Sequence, residues 1–137
     1  MKIEPVTEPD DALRRAIQAP LSAYNDARGG PSGHRTLALA VRDDSDAVCG
    51  GLWGHTAYGW LYTQLLVVPA AARGQGLGRA LMLAAEAEAR KRGCAQAWVD
   101  TIFGARGFYE RLGYTVFGEL AEHPPGFTRS FLKKALA

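Results

Sequence analysis

The sequence predicts an α+β protein with a mixed central sheet of about six to seven strands and about four helices. Three observations carry this expectation. Several strand-like segments follow one another before the longest helical pattern, so the chain does not alternate strand and helix strictly. After that helix come a strand, a short helix and two closing strands. The chain has 137 residues, 47% hydrophobic and 22% charged, which suits one core and a single domain over residues 1–137.

Lys2 to Val6 reads as a short first strand, ended by punctuation from Pro5 to Pro9. Asp10 and Asp11 are suited to cap a helix running to about Ala19, where Pro20 is expected to interrupt it. Leu21 to Ala27 is expected as a second helical piece, stopped by Gly29, Gly30 and Pro31. Thr36 to Arg42 reads as a strand, followed by a turn at "DDSD" (Asp43 to Asp46). Ala47 to Thr56 and Trp60 to Val68 form the next pair, joined near Ala57 to Gly59. The segment "WLYTQLLVV" is almost continuously apolar, the pattern of a strand buried on both faces.

A helix is expected from about Gly76 to Arg92, with Leu77, Leu81 and Ala84 forming an apolar stripe that narrows at Glu88. Arg90, Lys91 and Arg92 suit its C-terminal dipole, and Gly93 suits the position after its end. Ala95 to Thr101 reads as a strand and Ala105 to Leu112 as a short helix stopped by Gly113. Thr115 to Leu120 and Thr128 to Lys133 close the chain as strands.

A net charge of +2 gives no reason to expect nucleic acid or a membrane surface as partner. Lys2, Glu4, Glu8, Asp10, Asp11, Arg14 and Arg15 leave no room for the apolar region of a secretory signal. The longest apolar run, Leu65 to Ala72, is eight residues with Pro69 inside it, far short of a membrane span. Cys49 and Cys94 have no metal-type spacing and read as small buried hydrophobes of a reducing compartment. A cytoplasmic protein without a metal is expected.

"RGQGLG" (Arg73 to Gly78) stands directly before the long helix. A helix N-terminus presents unpaired N–H groups and partial positive charge. Glycines let an anion approach that backbone, and Arg73 and Arg79 can add charge-assisted contacts to phosphate. A nucleotide cradle, a cofactor cradle or a plain glycine-rich cap would each fit. The P-loop pattern fails, because no Gly-Lys pair occurs in the chain. The dinucleotide fingerprint fails too: the third glycine position falls on Arg79 when counted from Gly74 and on Leu81 when counted from Gly76.

What remains is Arg73-x-x-Gly76-x-Gly78, which resembles the acetyl-CoA signature of the GNAT family of N-acetyltransferases. "FYERLGY" (Phe108 to Tyr114) resembles that family's second landmark, an aromatic-Tyr pair before a Leu-Gly-aromatic helix end. The two occur in the family's order, within a likeness covering about Leu37 to Leu132.

The resemblance implies a GNAT fold with splayed strands at the acetyl-CoA site. It implies a CoA pyrophosphate on Arg73, Gly74, Gln75, Gly76, Leu77, Gly78 and Arg79, and a pantetheine arm along Leu66, Val67 and Val68. It also implies acetyl transfer from acetyl-CoA to a primary amine of a small molecule or peptide, by direct attack in a ternary complex. Tyr109 matches the family tyrosine that protonates the leaving thiolate; a phenol with its usual pKa of about 10 still holds its proton at neutral pH. A base must accept the amine proton. Gln64 stands where relatives often carry a glutamate, so Asp100 or an ordered water is left as base, and Tyr62 shares the Gln64 strand face. The loop "TIFGAR" (Thr101 to Arg106) lacks an Asn that relatives often have. Tyr24, Trp53, His55, Tyr58 and Trp60, with Glu119 and Glu122, are candidates for acceptor recognition. Dimers are common in that family, so the resemblance leaves a homodimer open beside a monomer. The alternative is an acyl-CoA-binding regulatory module of the same fold with little or no catalysis.

Overall fold

A computed structural model describes residues 1–137 of the chain. By its internal contacts the chain divides into two compact units, Met1–Ser32 and Gly33–Ala137.

The first unit is one long helix, α1 (Asp11–Gly29). Asp10 caps it by accepting the Leu13 amide at 2.9 Å, and Gly30, with φ at 78°, ends it. The expected break at Pro20 does not occur, so the two short helices are a single element. Proline removes one amide donor, here the one that would reach the Ala16 carbonyl, but the turns on either side carry the helix through. The expected strand at Lys2 to Val6 is absent, since that segment has no regular structure.

The second unit holds a six-stranded mixed sheet in the order β1-β2-β3-β4-β6-β5. Its strands are β1 (Arg35–Arg42), β2 (Val48–Ala57), β3 (Trp60–Val67), β4 (Gln96–Thr101), β5 (Thr115–Leu120) and β6 (Arg129–Ala135). Only β3 and β4 pair in parallel, because the connection between them contains helix α2 (Leu77–Lys91). The other neighbours pair antiparallel. A short 3-10 turn (Ala70–Ala72) leads into α2, and α3 (Arg106–Arg111) joins β4 to β5. The sheet is the mixed α+β sheet expected from the sequence, and the chain has three α-helices instead of about four because Pro20 leaves α1 whole. No helix is long and apolar enough to cross a membrane.

One sheet face is buried by α2. Met82, Ala85 and Ala89 of the helix share a core with Leu37, Leu52 and Leu61 of β1, β2 and β3, and Leu81 is buried as well. Each large side chain in such a core contributes about 1.5–3 kcal/mol. Of the expected stripe Leu81 is buried and Leu77 half-buried, but Ala84 is exposed, while Glu86 is fully buried. Glu86 is tolerated there because Lys134 Nζ donates to its Oε1 at 2.7 Å and the Tyr114 hydroxyl donates to Oε2 at 2.9 Å.

β3 is buried on one face, not two. Leu61 and Thr63 are inside, whereas Leu65 and Val67 are about half exposed. In this unit a helix covers only one side of the first three strands. The cysteines also divide: Cys94 is buried, but Cys49 is exposed. Cys49 falls where the β1–β2 register slips between Val41 and Arg42, at the start of a strand that no helix covers on that side.

Candidate active site

The loop before α2 has the geometry of an anion cradle. Gly74 and Gly76 lie at φ 79° and 80°, a left-handed conformation that side-chain-bearing residues resist. A Cβ built at either would meet no atom within 4 Å, so the space in front of the loop is open. Gly78 is needed for another reason: its Cβ would press within 3.3 Å of the Phe108 ring. Arg73, Arg79 and Arg111 line the pocket around these glycines, with Leu77 and Phe108. Gln75 instead turns back toward the Ala71 carbonyl, at 3.4 Å. Amides at the start of a 15-residue helix and three arginines together suit a diphosphate.

The pocket next to the cradle is set by a fault in the sheet. Trp53 pairs with Leu65 but Gly54 pairs with Thr63, so Gln64 is an extra residue bulged out of β3. Pairing of β3 with β4 ends at Thr63 and Val99. Beyond that point the two parallel strands part, and β3 shows its unpaired backbone edge toward the gap. Leu66, Val67 and Val68 line the resulting pocket with Arg73, Gly78, Ala105, Phe108 and Tyr109. A chain bearing amides can extend the sheet along that edge.

Tyr109 is placed by α3, whose aromatic face packs into the core; it is 8% exposed. Burial, then the negative charge of Asp100, pushes its pKa upward. Asp100 sits near the end of β4, where the Tyr62 hydroxyl donates to Oδ1 at 2.6 Å and Arg129 Nη1 donates to Oδ2 at 2.5 Å. Arg129 Nε also donates to His123 Nδ1 at 2.6 Å. Burial, reinforced by the bond to Asp100, pushes the Tyr62 phenol up to about 12, so it remains a donor. Tyr62 stacks on Trp98 at 4.1 Å between ring centroids, and His55 stands edge-on to Tyr62 at 5.5 Å. Burial and then His34 push the His55 pKa down, so its ring is neutral at pH 7.

Every expected cradle residue except Gln75, together with Leu66, Val67 and Val68, is thus brought to two adjoining pockets that share Val68, Arg73, Gly78 and Phe108. Glu119 and Glu122 already have partners, Arg106 Nη1 and the Gly126 amide. Phe108, which opens the "FYERLGY" landmark, also lines these pockets, as does Arg111; Arg111, Arg129 and His123 do not stand out in the sequence. Phe108 and Arg111 are three apart on α3, a spacing that puts both on the cradle side. Nothing local marks Arg129, because its meeting with Asp100 depends on β6 inserting between β4 and β5.

Residues 33–116 match the family model described as an acetyltransferase (GNAT) domain. An acetyltransferase of Agrobacterium fabrum is 49% identical over 126 residues, covering 91% of this chain and 92% of that protein. The chain belongs to the GNAT acetyltransferase family. This GNAT acetyltransferase is also 46% identical over 105 residues to a blasticidin-S acetyltransferase of Streptomyces morookaense, with 75% of each chain covered. A crystal structure described as an acetyltransferase from Agrobacterium tumefaciens superposes with a TM-score of 0.93 at 46% identity, over 98% of this chain and 99% of that one. GNAT acetyltransferases use acetyl-CoA as donor, so the protein is an acyltransferase enzyme.

Proposed function

We propose that this enzyme transfers the acetyl group of acetyl-CoA to a primary amine of a small molecule by direct attack within a ternary complex. The observation that carries the proposal is the run of adjoining pockets from Arg73 and Gly76 past Leu66 to Tyr109. The donor supplies an acetyl thioester. Arg73, Arg79, Arg111 and the amides opening α2 hold its diphosphate, and the free edge of Leu66 to Val68 holds its amide-bearing arm. The amine nitrogen bonds to the acetyl carbon as the carbon–sulfur bond breaks. Tyr109 gives its proton to the departing sulfur, and Asp100 or a water ordered beside it takes the proton lost by the nitrogen. Arg129 and Tyr62 keep the Asp100 carboxylate in place. The stacked Tyr62 and Trp98 rings offer a flat wall to the acceptor. The blasticidin-S acetyltransferase among the relatives favours a small-molecule amine over a peptide.

Tyr109→Phe tests the acid role. Turnover with acetyl-CoA and an accepted amine, found by screening natural-product amines and polyamines, is expected to fall about 100-fold. Acetyl-CoA affinity by calorimetry should stay within a factor of two or so of wild type, since the ring remains. A turnover that matches wild type across the pH range removes Tyr109 from the mechanism.

A further inference from the structure

The inward face of the sheet changes character at one level. Ala97 and Val99 of β4 and Leu132 of β6 belong to the core, and Val116 of β5 packs against it. One step further along that face stand Thr101, Ser130 and Glu119, which pair directly across the three strands. Apolar side chains thus give way to polar ones in a single row. The row is not simply where the sheet runs out into water, because Ser130 is 5% exposed. These three residues line a cavity of about 320 Å³, together with Phe103, Arg106 and Thr128. Every one of them belongs to the Gly33–Ala137 unit. Phe103 lies at φ 56°, a left-handed conformation that bulky side chains resist, and such strain collects at ligand sites. Its ring meets Phe127 edge-on, with centroids 4.8 Å apart.

The lining selects a chemistry. Arg106 Nη1 donates to Glu119 at 2.8 Å, so the two charges cancel and the cavity favours neither an anion nor a cation. An apolar guest would strip water from three hydroxyls and return no hydrogen bond. The hydroxyls of Thr101, Thr128 and Ser130 can each donate one bond and accept others, which matches a guest that itself carries hydroxyls. The ring of Phe103 suits the carbon skeleton of such a guest.

The cavity also borders the reaction centre. β4 ends at Thr101, next to Asp100, and Ser130 follows Arg129, the first residue of β6. On the helix side, Gly104 and Arg106 flank Ala105, which lines the donor pocket with Tyr109. We propose that this cavity is the acceptor subsite for an uncharged, hydroxylated ring whose attached amine reaches the centre at Asp100 and Tyr109. It rests on acetyl transfer taking place at that centre.

Initial rates with three amines test the class: glucose with an amino group in place of its exocyclic hydroxyl, aminomethylcyclohexane, and glycinamide. The first two carry the same amine on a six-membered ring and differ in their hydroxyls. The hydroxylated amine should exceed the other two in kcat/KM by roughly 100-fold or more, since a site built for hydroxyls rejects an analogue lacking them. Equal values, a preference for glycinamide, or no turnover of the hydroxylated amine would overturn the subsite. Thr128→Val and Ser130→Ala locate the preference. Each should raise KM for the hydroxylated amine about 10-fold with kcat within about two-fold, shrinking its advantage over aminomethylcyclohexane. An advantage that keeps its wild-type size in both variants shows that the cavity does not hold the ring. Tyr109→Phe should slow both ring amines alike. If it slows neither, the centre itself is misplaced; if it slows both while the cavity variants keep the advantage, only the subsite falls.

Discussion

Tyr109 keeps its proton for two reasons that act in the same direction. Burial disfavours the phenolate, and the Asp100 carboxylate disfavours a second negative charge nearby. Asp100 is itself held by Tyr62 and Arg129, so its field at Tyr109 has a fixed source. Removing that charge should lower the Tyr109 pKa, because one of its two causes disappears. For Asp100→Asn the basic limb of the pH–kcat profile is expected to move to lower pH. The profile across the alkaline range checks this against wild type. A basic limb that does not move, with turnover simply reduced, would show that the carboxylate does not act through Tyr109.

At the scale of elements, the bulge in β3 stands where the pocket lined by Leu66, Val67 and Val68 begins. Gln64 is squeezed out because Gly54 lets the opposing backbone come unusually close: a Cβ there would stand 2.1 Å from the Tyr62 carbonyl oxygen. Backbone cannot give way as a side-chain tip can, so Gly54→Ala must disturb the β2–β3 register. The expected cost is about 1–3 kcal/mol of stability by urea unfolding. A raised KM for acetyl-CoA should accompany it, since Leu66 to Val68 shift with the register. A variant as stable as wild type would show that β3 does not need this glycine. The turn before β2 is built more simply, with Asp43 Oδ1 accepting the Ser45 and Ala47 amides. It holds the hairpin and has no part in the site.

At the scale of the whole molecule, Glu86 ties the main helix to the far strands. Its carboxylate on α2 takes Lys134 from β6 and Tyr114 from the segment ahead of β5. Burial, then Glu86, pushes the Tyr114 pKa upward, so its hydroxyl stays a donor across the ordinary pH range. Glu86 is 0% exposed and Lys134 18%. Lys134→Met therefore leaves a buried carboxylate without its cation and should cost about 3 kcal/mol. Adding Glu86→Leu should restore much of that loss, since the stranded charge is removed along with its partner. Urea unfolding of the single and double variants checks both halves. A single variant as stable as wild type would mean that the pair contributes nothing.

The cradle and the tyrosine helix were legible in "RGQGLG" and "FYERLGY" because local rules act on neighbours in sequence. A left-handed turn needs its glycine where it stands, and a helix start presents its own amides. The order of strands and helices was legible for the same reason, through periodicity and turn residues. Pairing across the sheet was not. Arg129 reaches Asp100 only because β6 lies between β4 and β5, and no local pattern encodes that order. Leu81 was legible as an inward position of α2, but Glu86 was not, because a glutamate reads as polar until Lys134 and Tyr114 arrive from far along the chain to satisfy it. The continuous apolarity of β3 suggested burial on both sides, yet one side covers the core and the other leaves Leu65 and Val67 half exposed. Composition records that a residue is apolar; which layer covers it follows from long-range packing, whose partners lie tens of residues away in the chain.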